Sequence, residues 1–238
     1  MTDSTWTKKQ INTIWRPFSR FAFHGIDDDK GKNLARRLVQ QLSANGSYLK
    51  DDKTTTVAIV ALNSEAFSQH KEVVVKRYNT KSLWHAFTRA VRASRAETCW
   101  QMSFAFAQAG IHVAEPILLF EKKYFFLNSV AYFVSGKIEG DLLLDCLPVM
   151  GKTERLKVVA AMEELFAQLE RARLSHGDLK ATNLLWDGER LSVIDLDAAK
   201  RHWFNKSWSN AIAKDRRRFL KNWRGNPELV DAFSFLAK

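Results

Sequence analysis

Residues 174–197, LSHGDLKATNLLWDGERLSVIDLD, decide how the chain folds. They read as a loop, a short apolar strand at 184–186, an Asp187-Gly188 turn and a second short strand at 191–194. An antiparallel pair joined by that turn brings its two outer ends together. Asn183 opens the first strand and Asp195 ends the second, so both side chains arrive at one place. The loop before them, His176-Gly177-Asp178-Leu179-Lys180, projects polar groups toward the same end.

Those residue types suit one chemistry. Phosphoryl transfer needs a positioned nucleophile, metal ions on the phosphates and positive charge around the moving group. Asp178 can accept the proton of a substrate hydroxyl. Lys180 can neutralise charge on the transferred group. Asn183 and Asp195 offer the hard oxygen ligands that Mg²⁺ prefers. His176 reads as an orienting or core residue rather than a proton-transfer group, and Asp197 as the N-cap of the segment that follows or as a second metal-proximal acid.

Upstream of this segment, residues 153–173 carry Leu156, Val159, Met162, Phe166 and Leu169 at helical spacing, an amphipathic helix. Downstream, the chain is helical and basic. Residues 200–224 hold nine Lys/Arg and one acid, Asp215, interleaved with Trp203, Phe204, Trp208, Phe219 and Trp223. This tail fits an anionic membrane surface, nucleic acid, an intramolecular ion-pair cluster of Asp215 with Arg216–Arg218, or a solvated helix face.

The first half of the chain is rich in strands. Residues 54–62, TTTVAIVAL, and 72–78, EVVVKRY, are dense in β-branched residues, and Lys76 lies inside the second. A helical pattern runs from about 82 to 109, with His85, Arg89 and Arg92 on one basic face and Gly110 as its stop. Glu115-Pro116 opens a strand at 117–121. Residues 123–135 add one long strand or two, and Gly136 and Gly140 punctuate a connector. Residues 31–43 form a short helix. Residues 1–26 are basic and aromatic (Trp6, Trp15, Phe18, Phe21, Phe23); they fit packing against the body of the protein, or an interfacial position on a membrane. Strands first, then helices around a pair of short strands, is an α+β order.

Length and charge set bounds. The 238 residues suit one two-lobed body better than two independent domains. The formal net charge of +11 favours an anionic partner. Cys99 and Cys146 show no metal-ligand spacing and fit a reducing compartment. No run of about 18 apolar residues is present, so the expected place is the cytoplasm or a membrane surface.

HGDLK-x-x-N followed by IDLD resembles the eukaryotic-like protein kinase superfamily, whose catalytic loop is His/Tyr-x-Asp-x-x-x-x-Asn with a second Asp about a dozen residues on. The HGD form and IDLD, the strand lysine in VVVKRY, the RASRAE and GI–P stretches and the closing KDRRRFLKNW are similar to the bacterial lipopolysaccharide core kinases. Those phosphorylate heptose or 3-deoxy-manno-octulosonic acid (Kdo). The resemblance implies a two-lobed protein-kinase-like α+β fold: a mostly β N-lobe over residues 1–135 and a mostly α C-lobe over 136–238. It implies ATP and Mg²⁺ as cofactors. Asp178 and Lys180 take the catalytic roles, Asn183 and Asp195 hold the metal, Lys76 contacts the α- and β-phosphates of ATP, and Glu97 is its helix partner. Glu97 is the only acid between Glu72 and Glu115.

The sequence departs from the wider pattern in two places. No G-x-G-x-x-G loop precedes Lys76, which leaves Gly46 to cover the phosphates. Gly136 stands where an acidic hinge residue is usual, so adenine would bind backbone groups near 135–138. The implied acceptor is an anionic glycolipid or sugar, met at the cytoplasmic face of the inner membrane, and the basic tail fits it better than nucleic acid. The alternatives are another small-molecule or RIO-like kinase, or a pseudokinase that uses the fold as a binding module.

Overall fold

The computed structural model describes residues 11–16, 19–24, 28–44, 47–51, 55–61, 71–79, 93–124 and 127–237. Gly46, His85, Arg89, Arg92 and Trp6 lie outside them. The described chain divides into two compact units. One takes residues up to Phe104 together with Glu115–Lys137, and the other takes Ala105–Ala114 with residues 138–237.

The first unit is built on a seven-stranded antiparallel sheet. Its strands are β1 (Ile11–Arg16), β2 (Ser19–His24), β3 (Ser47–Asp51), β4 (Thr55–Ala61), β5 (Glu72–Asn79), β7 (Pro116–Tyr124) and β8 (Leu127–Gly136), in the order β1-β2-β7-β8-β5-β4-β3. The two-residue alternation of a strand sorts side chains to two faces. In β5, Val73 and Val75 are fully buried with Leu34 and Leu38 of helix α1 (Asp28–Ala44). Tyr78, on the other face, is buried with Cys99, Trp100 and Phe104 of helix α2 (Arg95–Gln108). Lys76 has the parity of Tyr78 and so belongs to the face that α2 covers. It is opposite Val57 on β4 and Phe133 on β8, which makes it a lysine of an interior strand.

The N-terminal aromatic segment enters this sheet as a hairpin. β2 pairs antiparallel with β7 along Ser19–Phe23, Phe21 stacks on Phe120 with centroids 4.5 Å apart, and Phe23 is wholly buried. The alternation in Ser19-Arg20-Phe21-Ala22-Phe23 is the strand signal within that composition.

The helix expected over 82–109 begins, among the described residues, at Arg95. Ser94 is its cap: Oγ accepts from the Glu97 N–H at 2.9 Å and donates to the buried carboxylate of Glu121 at 2.6 Å. Gly110 ends the helix at φ 82°. No helix among the described residues is long and apolar enough to cross a membrane.

The second unit is mostly helical. Helices α3 (Leu143–Cys146), α4 (Lys152–Ala172), α5 (Asn205–Lys221) and α6 (Pro227–Ala232) surround two small sheets. One sheet has the order β6-β12-β11-β9, from β6 (His112–Val113), β9 (Asp141–Leu142), β11 (Leu184–Trp186) and β12 (Leu191–Val193). The other pairs β10 (Leu174–Ser175) with β13 (Lys200–Arg201). Because β6 pairs with β12, Ala105–Ala114 falls in this unit, so the division is not a single boundary after residue 135.

The apolar stripe of α4 differs from the expected one. Val158, Met162, Leu165, Phe166 and Leu169 are buried, while Leu156 is 61% exposed. Met162, Phe166 and Leu169 are buried as expected, and Val158 and Leu165 complete the stripe in place of Leu156. The C-terminal helices close on an aromatic cluster in which Phe219 meets Phe233 edge-on at 4.9 Å and Trp223 at 5.8 Å. The architecture is α+β, with a sheet-based first unit and a mostly helical second one.

Candidate active site

The β11–β12 hairpin forms as its residues dictate. Leu184 faces Val193 and Trp186 faces Leu191. The connection is a four-residue loop in which Asp187 Oδ1 accepts the N–H groups of Glu189 and Arg190 at 2.9 and 2.6 Å. Those hydrogen bonds hold the Asp187 carboxyl below its usual range. At the open end, the Ile194 N–H donates to the Asn183 carbonyl at 3.0 Å. This sets Asn183 and Asp195 side by side. Asp195 stops the strand by turning left-handed, φ 64° and ψ 60°. Asp197 lies inside the short 3₁₀ turn Leu196–Ala198 and caps no helix; α5 begins only at Asn205, with Phe204 as its N-cap.

The loop carrying Asp178 is fastened from below. His176 is fully buried. Its Nε2 lies 2.9 Å from the Ile194 carbonyl, and its Nδ1 lies 3.3 Å from the Asp178 N–H. A carbonyl can only accept and an N–H can only donate, so the ring carries its hydrogen on Nε2. His176 thereby ties the Asp178 backbone to the end of β12, which is an orienting role.

Asp215, fully buried on α5, holds the same loop. Its Oδ2 accepts from the N–H groups of His176 and Gly177 at 2.8 and 3.0 Å, and Oδ1 accepts from Leu179 at 3.3 Å. The Asp215 carboxylate, read in sequence as a partner of the arginines beside it, thus serves backbone donors of the catalytic loop. Arg216 lies over the Phe166 ring at 5.7 Å.

The Asp178 side chain stands between two cations. Lys180 Nζ donates to Oδ2 at 2.9 Å. Arg218 donates to Oδ1 and also to the Gly177 carbonyl, the latter at 2.9 Å. Asn183 Nδ2 donates to the Asp178 carbonyl at 2.9 Å, which turns its Oδ1 away from the loop. Asp178, Lys180, Asn183 and Asp195 are thus gathered at one end of one hairpin. Asp215 and Arg218, which complete the arrangement, could be found in sequence only as a lone acid and an arginine in a basic helix.

Gly177 permits this geometry. Its φ is 81°, and a Cβ there would lie 2.4 Å from the Ala198 carbonyl oxygen. Gly177→Ala is expected to lower kcat by about tenfold or more and the Tm by several degrees, since backbone must move to relieve the contact. Circular dichroism melting and initial rates check it.

Behind the loop, His202 joins Ser175 Oγ at 2.8 Å to Ser207 Oγ at 2.9 Å. Burial lowers its pKa below the usual 6.5, with the Lys200 ammonium adding to this and Asp215 opposing it.

Lys76 and Glu97 belong to the sheet unit. Glu97 stands in the first turn of α2, and the Arg20 guanidinium meets its carboxylate at 2.6 Å. Arg20 also lies 3.6 Å from Glu121. This arginine of β2 is a partner that reading only the segment between Glu72 and Glu115 could not supply. In the connector, the Gly136 N–H donates to the Glu115 carbonyl at 2.9 Å and the Lys137 N–H to that of Glu72 at 3.2 Å.

No curated protein matches the sequence. A solved structure described as WaaP in complex with acyl carrier protein has a similar fold, with a TM-score of 0.56 and 15% identity over 89% of this chain and 93% of that one. The model of the lipopolysaccharide kinase (Kdo/WaaP) family matches residues 61–230, well over half of the chain and the whole segment from Lys76 to Arg218. The chain belongs to that family and is an ATP-dependent kinase.

Proposed function

We propose that the chain transfers the γ-phosphoryl group of ATP to a hydroxyl of Kdo or heptose in the inner core of lipopolysaccharide. The observation that carries this reading is the Asp178 carboxylate, flanked by two cations on a loop whose backbone is held by a buried histidine and a buried aspartate, in a member of a lipopolysaccharide kinase family.

The acceptor hydroxyl gives its proton to Asp178. Its oxygen forms the new bond to the γ-phosphorus, and the bond from that phosphorus to the β–γ bridging oxygen breaks, leaving ADP. Lys180, exposed at its tip, can leave Asp178 for an oxygen of the moving group, while Arg218 keeps the carboxylate in place. Asn183 Oδ1 and the Asp195 carboxylate are hard oxygen donors of the kind magnesium takes, and they would hold it. Magnesium bound there supplies positive charge against the phosphates. Lys76 is assigned to the α- and β-phosphates, with Glu97 on the helix that covers the same face of the sheet.

ATP is a cytoplasmic substrate, and the acceptor is anchored in a bilayer. The working place of the enzyme is therefore the cytoplasmic face of the inner membrane, reached as a peripheral protein. Incubating the purified chain with radiolabelled ATP, magnesium and a lipopolysaccharide whose inner core lacks phosphate should label the glycolipid. Label that appears on a protein or aminoglycoside acceptor and not on the glycolipid would replace this reading with another kinase activity.

A further inference from the structure

Trp203 and Phe204 are 82% and 77% exposed, beside a core in which Phe219, Trp223 and Phe233 are buried. They sit at the turn between β13 and α5. At about 100° per residue, Lys206, Lys214, Arg217 and Lys221 of α5 fall within about 80° of one another. All four are exposed. The buried face of the helix is Ile212, Asp215 and Phe219. Its one acid therefore points inward to the catalytic loop and does not neutralise the outer stripe. Lys200 and Arg201, also exposed, extend the positive charge past the aromatic pair on β13. None of these residues contributes to the candidate active site.

We propose that this face docks on an anionic membrane, with Trp203 and Phe204 seated at headgroup depth and the α5 stripe against lipid phosphates. The chemistry is that of an interfacial anchor: amphipathic rings at one end and a cationic surface about 22 Å long beside them. An extended basic groove for nucleic acid would interleave its aromatics with its cations for base stacking. Here the two rings are adjacent on a single turn, which suits insertion at one point. The inference deepens the membrane side of the proposed function by naming the surface that carries it. Vesicle binding, which decides it, uses neither nucleotide nor acceptor, so each can fail without the other.

The full chain is sedimented with vesicles of phosphatidylcholine alone and of equal parts phosphatidylcholine and phosphatidylglycerol. Binding to the anionic vesicles should be about tenfold tighter or more, and should weaken with salt. Trp203→Ala with Phe204→Ala should weaken binding to both vesicle types. Lys214→Glu with Arg217→Glu should abolish the preference for phosphatidylglycerol. Both pairs should melt as the wild type does and leave the rate on a water-soluble acceptor unchanged. Unaltered vesicle binding in both variants would overturn the proposal, as would no binding to anionic vesicles. So would displacement of the chain from vesicles by single-stranded DNA or polyglutamate at equal charge.

Discussion

Asp178→Asn is expected to lower kcat by about 10²–10⁴-fold while leaving ATP affinity within about twofold of wild type. Asparagine keeps the shape of the side chain and an oxygen that Lys180 or Arg218 can meet. It removes the site that takes the acceptor proton. The backbone at position 178 stays fixed, because its N–H and carbonyl are held by His176 and Asn183. The loss should therefore fall on kcat and not on the KM for ATP. Initial rates with varied ATP, together with nucleotide binding by calorimetry, separate the two. Full activity in this variant would remove Asp178 from the base role.

Asp215→Ala carries the second large effect, and it acts on stability as well as rate. Truncation leaves the N–H groups of His176, Gly177 and Leu179 without their acceptor. Removing the partner of buried, charge-assisted hydrogen bonds costs about 3–5 kcal/mol. For a chain of this length that corresponds to a fall in Tm of roughly 6–20 °C. The rate should drop as well, since these bonds set the direction of the loop carrying Asp178. Asp215→Asn should be milder: one amide oxygen can still serve His176 and Gly177, and only the Leu179 contact is lost. Melting curves of the two variants check the order. A Tm for Asp215→Ala within a degree of wild type would show that the loop does not depend on this carboxylate.

Much of the site was legible in the sequence because it is local. From His176 to Asp195, one loop and one hairpin place four polar side chains by turn chemistry alone, so motif spacing was enough. The strand around Lys76 was legible for a similar reason, since three consecutive valines favour a strand, while its interior place comes only from its pairing with β4 and β8. What the sequence concealed depends on contacts between distant residues. Asp215 meets His176 across 39 positions, and Arg20 meets Glu97 across 77. An acid among arginines has the look of a surface ion-pair network until its burial is known. The α4 stripe was read correctly at Met162, Phe166 and Leu169 but wrongly at Leu156, which is as apolar as Val158; only packing decides which turns inward. The N-terminal hairpin was hidden by its composition: aromatic and basic residues fit an interfacial segment as well as an edge of a sheet.

The account turns on the transfer of one phosphate to the lipopolysaccharide core by the Asp178 loop. The mass of a phosphate-free inner-core lipopolysaccharide, taken before and after incubation with ATP and magnesium, tests this most directly. Wild-type protein should add the mass of a single phosphate to the sugar-core fragment, and Asp178→Asn should add none. An unchanged core mass with wild-type protein, under conditions where ATP is bound, would contradict it.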